Sequence, residues 1–187
     1  DEIIWTRQGR LQFGIELKIM LDDGSEAPRD GETSGALMVR GPWTIRRYFR
    51  KEGDALLDDG GWFDTGDIAT LDEHGFMRIT DRAKDVIKTG GEWISSIDLE
   101  NIAVACPGVK IAAVVGIPHP KWEERPLLVI ETHEGRTVTR EEVLDYLRPR
   151  IVKWWMPDDV VFAAVPLTAT GKIDKKTLRA AWNGHLL

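Results

Sequence analysis

DRAKDVIKTGGEWISSIDLE, residues 81–100, is the stretch on which the reading of this chain turns. Upstream of it the sequence reads as short strands punctuated by turns; downstream, strands alternate with helices. Ala83–Ser95 has the pattern of a hairpin whose turn is Thr89-Gly90-Gly91. Ser95 followed three residues later by Asp98 is a helix-start signal. Leu99, Ile102, Ala103 and Cys106 then recur at the i, i+3, i+4, i+7 spacing of a buried helical face. A change of pattern at one place implies two units. The predicted fold class is α+β: a small β-rich half-barrel over residues 1–82, then a compact α/β domain over residues 83–187, with the boundary between Asp81 and Lys84. The joint lacks the Gly/Ser richness of a floppy tether, so motion there is expected at a hinge of one or two residues.

Working outward, Ile15–Leu21 alternates apolar and polar residues and meets a turn at Asp22–Ser25. Ala36–Gly41 is a second strand, entered through Gly35. Ile68–Leu71 and Phe76–Thr80 form a hairpin around the turn chemistry of Asp72–Gly75. Only Trp43–Phe49 leans helical in this half. Downstream, KIAAVVGI (110–117) is a continuous apolar run suited to a strand covered on both faces. PLLVIET (126–132) is a second strand and DVVFAAV (159–165) a third. Thr139 with Glu142 makes a capping box for a helix burying Val143, Leu144 and Leu147. Asp174 caps a terminal helix with Leu178, Ala181 and Trp182 turned inward.

The 187 residues are 42% hydrophobic and 30% charged, enough for a sizeable core without disulfide or metal staples. The single cysteine, Cys106, permits no disulfide framework and suits a reducing interior, where it is read as an inert core thiol. A formal net charge of −6 argues against nucleic acid as the main partner. No apolar run approaches the roughly 18 residues of a membrane span. Asp1 and Glu2 stand where a signal peptide would be basic and then apolar, so the expected setting is cytoplasmic. The absence of an initiator Met suggests a piece of something longer. His74, His119, His133 and His185 have no partners at ligand spacing, so no metal site is expected.

Three residues invite a chemical reading. Thr65-Gly66-Asp67 reads as a tight turn ending in a carboxylate, which either satisfies local N–H groups or accepts from two neighbouring hydroxyls such as a ribose diol. Arg82 lies in a charged cluster that is ordinarily a solvated face. Lys172 follows Gly171 on a mobile arm ahead of the last helix. It is either a plain surface lysine or a cation positioned for anionic reactants. Gly171-Lys172 is no P-loop, because Ile173 replaces the Ser/Thr and Pro166 the first glycine.

GALMVRGPWTIRRYF (35–49), GWFDTGDIA (61–69), DRAKDVIKTGGEWISSIDLE (81–100) and TATGKIDKKTLR (168–179) occur in the order and spacing of adenylate-forming enzymes. KDVIKTGGEWIS and HPKWEERPLLV are most similar to the medium- and long-chain fatty acyl-CoA ligase branch. Over essentially its whole length the chain resembles the carboxy-terminal portion of an AMP-forming acyl-CoA synthetase. The resemblance implies that residues 1–82 end the large AMP-binding domain and that residues 83–187 are a mobile lid hinged near Lys84. It implies nucleotide-binding roles for Asp67 and Arg82 and a catalytic role in adenylation for Lys172. The loop Lys88, Gly90, Gly91, Glu92 and Trp93 would line the CoA tunnel once the lid has rotated. Many relatives carry Arg or Gln where this chain has Trp93, so only a tunnel-wall role carries over. Trp154-Trp155 would anchor the lid's core or face the larger body. Implied substrates are a fatty or other carboxylic acid, ATP with Mg²⁺, and CoA. The metal ligand, phosphate loop and acyl pocket would belong to an amino-terminal body outside this chain. Two other functions fit the same motifs: an adenylation domain loading a carrier protein, and a non-catalytic lid-like interaction module. The isolated chain is expected to show no synthetase activity; steady AMP formation from ATP and a fatty acid would contradict the reading.

Overall fold

A computed structural model describes residues 7–48 and 56–187. The chain divides into two compact units between Lys84 and Asp85. The first holds a five-stranded antiparallel sheet built from β1 (Gly9–Arg10), β2 (Glu16–Met20), β3 (Gly35–Arg40), β4 (Phe63–Leu71) and β5 (Phe76–Arg82), in the order β1-β5-β4-β3-β2. Alternation along β2 sends Leu17 and Ile19 into a core with Ala27, Leu37, Ala69 and Leu71. Between them Lys18 points the other way, its ammonium 4.4 Å from the Trp62 ring centre. The β4–β5 turn forms where expected: Asp72 Oδ1 accepts the N–H groups of His74 and Phe76 at 3.0 and 2.8 Å.

The helical lean at Trp43–Phe49 is not realised over residues 43–48, which form a turn and irregular chain; Phe49 lies outside the described residues. Trp43, Ile45 and Tyr48 are exposed, so a helical apolar face there would gain no burial to offset its nucleation cost.

The second unit is organised on one long antiparallel pair, β8 (Val109–His119) and β9 (Glu123–Thr132). β10 (Asp159–Phe162) adds parallel to β9, and the short hairpin β6 (Ile87–Thr89) and β7 (Glu92–Ile94) joins β9 through Thr89 and Glu123. Both faces of the central pair are covered, as the unbroken apolar run requires. Ala112, Val114, Leu128 and Ile130 face a core shared with α1 (Ser96–Val104) and α2 (Arg140–Leu147). Ala113, Val115, Ile117, Leu127 and Val129 face a second core beneath α3 (Lys175–Trp182).

The helix starts follow local chemistry. Ser95 Oγ accepts the N–H of Asp98 at 3.1 Å, and the Thr139–Glu142 capping box is complete. In α3 one expectation fails. Leu178 is buried and Trp182 half-buried, but Ala181 is exposed. The inward face is centred on Lys175, Leu178 and Trp182, and position 181 falls to one side of it. Trp155 packs against the α1/α2 core, while Trp154 stands edge-on to it and reaches the surface. Cys106 is buried, and burial pushes its thiol up, which keeps it unreactive. Among the described residues no helix is long and apolar enough to cross a membrane.

Leu128 sits at 0% exposure in the α1/α2 core. Leu128→Ala should destabilise the second unit by about 2–5 kcal/mol, measured as a lower urea midpoint by tryptophan fluorescence.

Candidate functional site

In the first unit the geometry starts from a register fault. Met38 pairs with Asp64 but Ala36 with Ile68, so Leu37 faces three residues, Thr65, Gly66 and Asp67. The expected tight turn is therefore a bulge inside a strand. Gly66 takes φ +71°, a left-handed conformation that suits glycine. Thr65 Oγ1 donates to the Leu37 carbonyl at 3.0 Å and accepts the N–H of Asp67 at 3.1 Å, replacing bonds that the ladder loses there. Bulges re-aim side chains, and Asp67 leaves this one toward its cross-strand neighbour Arg82. Arg82 Nε lies 2.7 Å from Asp67 Oδ1, with the carboxylate one-fifth exposed and the guanidinium more than half exposed. Arg82 is steadied by its own N–H, which donates to the buried Asp81 at 2.7 Å. A carboxylate that accepts from hydroxyls and a guanidinium that donates to phosphate oxygens thus stand side by side.

Lys84 is exposed in the turn that ends this unit. The next residue, Asp85, belongs to the second unit, where it pairs with Arg179 of α3 at 2.9 Å. The β6–β7 hairpin follows. Gly90 and Gly91 have φ of +57° and +85°, a two-residue turn of the I′ kind, which matches strand twist and demands such residues. Lys88 lies opposite Trp93, with its ammonium 5.0 Å from the indole centre. Glu92 and Gly91 are exposed at the tip.

The hairpin forms one wall of a cavity of about 380 Å³ lined by Thr89, Gly90, Glu92, Trp122, Arg125 and Trp154. The Gly90 N–H donates to the Trp122 carbonyl at 3.1 Å, and a Cβ on Gly90 would lie 3.0 Å from the Trp122 ring. Glycine is therefore needed for close approach as well as for the turn. Arg125 ties the walls together. It donates to Asp158 at 2.7 Å, to the carbonyls of Trp154 and Met156 at 2.9 Å each, and to Thr89 Oγ1 at 3.4 Å. Trp122 and Arg125 escape a site-by-site reading of the sequence. They lie some thirty residues from the glycines, and only the pairing of Thr89 with Glu123 brings them alongside.

Lys172 lies on its own loop. Leu167 and Ile173 form a β-bridge, and the turn between them is closed by Thr168 N–H to the Lys172 carbonyl at 2.7 Å and Lys172 N–H to Thr168 Oγ1 at 3.2 Å. Gly171, at φ +79°, completes the turn. The arm expected from sequence is thus a hydrogen-bonded loop with a defined backbone. The Lys172 side chain is exposed and makes no ion pair among the described residues. The structure brings Asp67 and Arg82 together in one unit and Lys88 and Glu92 to one hairpin with Gly90, Gly91 and Trp93 in the other. No hydrogen bond among the described residues joins the hairpin tip to the Lys172 loop. Among the described residues no group of three His, Cys, Asp or Glu side chains is placed to hold a metal ion.

Residues 98–172 match the AMP-binding enzyme C-terminal domain family. The chain is 57% identical over 173 residues to 3-methylmercaptopropionyl-CoA ligase of Ruegeria pomeroyi, covering 92% of this chain and 32% of that enzyme. It is 47% identical over 181 residues to a medium-chain-fatty-acid–CoA ligase of Ectopseudomonas oleovorans, covering 96% and 33%. Among solved structures it is similar to ATP-bound MatB from Rhodopseudomonas palustris, with a TM-score of 0.85 and 30% identity over 97% of this chain and 37% of that one. The chain therefore spans about a third of the length of the curated relatives it matches.

Asp174, the cap of α3, ends the Lys172 loop. Its carboxylate is held below the ordinary value of 3.8 by the Thr177 backbone N–H and then by the Thr177 hydroxyl. A depressed folded value means that the cap's contribution is complete above 3.8 and is lost as pH falls through the lower, folded value. Amide-exchange protection of α3 should thus weaken below about pH 4, whereas Asp174→Asn, whose cap does not titrate, should show no such step.

Proposed function

We propose that the chain is the carboxy-terminal third of an ATP-dependent acyl-CoA ligase. This enzyme adenylates a fatty or other carboxylic acid and passes the acyl group to CoA. The observation that carries the reading is the conjunction, within one unit, of an unpaired exposed lysine on a closed loop and a glycine hairpin beside a cavity. A carboxylate–guanidinium pair in the preceding unit supports it. The ligase names of the relatives favour CoA as acyl acceptor over a carrier protein.

In the first step a substrate carboxylate oxygen attacks the α-phosphorus of ATP, and the bond to pyrophosphate breaks. Two anions must approach, and negative charge grows on the phosphoryl oxygens. Lys172 is the group that offsets this charge, presented by a loop whose backbone needs little rearrangement. Asp67 accepts from the ribose hydroxyls, and Arg82 holds Asp67 in place while facing the phosphate side. ATP is used as its Mg²⁺ complex, and the ligands for that ion belong to a part of the enzyme outside this chain. In the second step the CoA sulfur attacks the acyl-adenylate carbonyl and AMP departs. The Lys88–Trp93 hairpin serves this step: its glycines admit a narrow chain at close range, and Trp93 walls the passage. Lys84 is the hinge that exchanges the two presentations, so that one cavity serves two transition states. The buried lone thiol accords with a cytoplasmic setting.

In the full-length enzyme, Lys172→Ala should lower acid-dependent ATP–pyrophosphate exchange by about 10²–10³-fold. Thioester formation from supplied acyl-adenylate should stay close to normal. Equal loss of both half-reactions would contradict the assignment.

A further inference from the structure

The last helix carries two cations one turn apart on its inward side. Lys175 Nζ lies 2.8 Å from Glu100 Oε1 and donates to Ser96 Oγ at 2.6 Å, and the Lys175 and Glu100 side chains are only 11% and 14% exposed. Glu100 is itself pinned, because its Oε1 accepts the N–H of Val114 in the central strand at 2.8 Å. One turn on, Arg179 meets Asp85 at 2.9 Å. Asp85 and Glu100 bracket the β6–β7 hairpin in sequence, and Lys175 follows Lys172 by three residues. Two charge-assisted contacts therefore run from the helix behind the lysine loop to the segment that bears the hairpin.

Leu178 and Trp182 already seat α3 on its core. Apolar contact fixes how deep a helix lies but tolerates small slides and rotations, since it is non-directional. A nearly buried ammonium between a pinned carboxylate and a hydroxyl tolerates neither, because a slipped charge is left desolvated and unpaired. The ion pairs thus set the register of α3, and with it the position of the loop that precedes it.

We propose that Lys175, with Arg179 as the second anchor, is a positioning residue that registers the Lys172 loop against the Lys88–Trp93 hairpin. The lysine and the hairpin are then carried at one fixed spacing, and withdrawing one presents the other. The proposal rests on the reading of Lys172 as the adenylation lysine. A misplacement of about 1 Å in such a group costs about a hundredfold in rate.

The test uses the full-length ligase with Lys175→Met, Lys175→Arg and Ser96→Ala. Each is made with Lys172 intact and in the Lys172→Ala background, and both half-reactions are measured. Lys175→Met should lower the kcat of pyrophosphate exchange about tenfold to a hundredfold. Its KM for ATP and its thioester step from supplied adenylate should stay within about twofold of normal. Lys175→Arg should restore most of the exchange. In the Lys172→Ala background Lys175→Met should remove nothing further, because both changes act through the same ammonium. Ser96→Ala keeps the ion pair and should give a smaller loss of the same pattern, which serves if Lys175→Met fails to fold. Equal loss in both half-reactions, a full additional loss without Lys172, or unchanged exchange in Lys175→Met and Ser96→Ala would each overturn the proposal. Normal exchange in Lys172→Ala alone would instead sink the underlying reading, so the two failures are separable.

Discussion

The second unit depends on the burial of β8 and β9 from both sides. Side chains on each face of this pair are fully withdrawn from water, among them Val114, Leu128, Val115 and Leu127. Each such residue contributes about 1.5–3 kcal/mol when fully buried, but only if something covers it. That demand calls α1 and α2 to one face and α3 to the other. The segments of chemical interest are attached to these covers: the glycine hairpin leads into α1, and the lysine loop leads into α3. Their placement follows from where the helices must go. The hairpin tip and the lysine loop can therefore be small, polar and exposed, while Ile87 and Ile94 at the base of the hairpin join the core.

What could be read from sequence was what local chemistry decides. Ser95, Thr139 and Asp174 announce helix starts because a cap needs only a side-chain oxygen and the N–H groups two or three residues on. Gly90-Gly91 announces a hairpin because both positions need positive φ. The change in pattern between Asp81 and Lys84 was visible because strand alternation there gives way to helical periodicity. Three of the failures share a cause, in that each depended on residues far away in sequence. Thr65-Gly66-Asp67 looks like a turn until β3 is laid beside it and Leu37 is seen to face all three residues. Ala181 looks inward until the charges on α3 choose a slightly different face. Trp122 and Arg125 join the cavity wall only through the return of β9 beside β6. Of the candidate site, the residue types were legible through motif resemblance. The closed backbone of the Lys172 loop and the Asp67–Arg82 pair were not, because a motif carries residue types and no hydrogen-bond geometry.

The cavity beside the hairpin shows how a surface loop can be made rigid without a large core. One guanidinium, Arg125, serves a carboxylate, two carbonyls and a hydroxyl from two separate segments. A planar fork can do this with little loss of freedom per bond, and an ammonium could not reach the same set of acceptors. The indoles of Trp122 and Trp154 are thereby held at the cavity rim, although each is about two-fifths exposed.

The bulge in β4 has a consequence for how the fold and this carboxylate are inherited together. β4 spends three residues where β3 spends one, an excess of two, and two residues are one full pleat repeat. Excising Thr65 and Gly66 would therefore leave inside and outside unchanged for every residue beyond, so Ala69 and Leu71 would keep their core places. Asp67 would then stand directly opposite Leu37 and share its face. Strand parity would survive such a deletion, and the setting of the carboxylate would not.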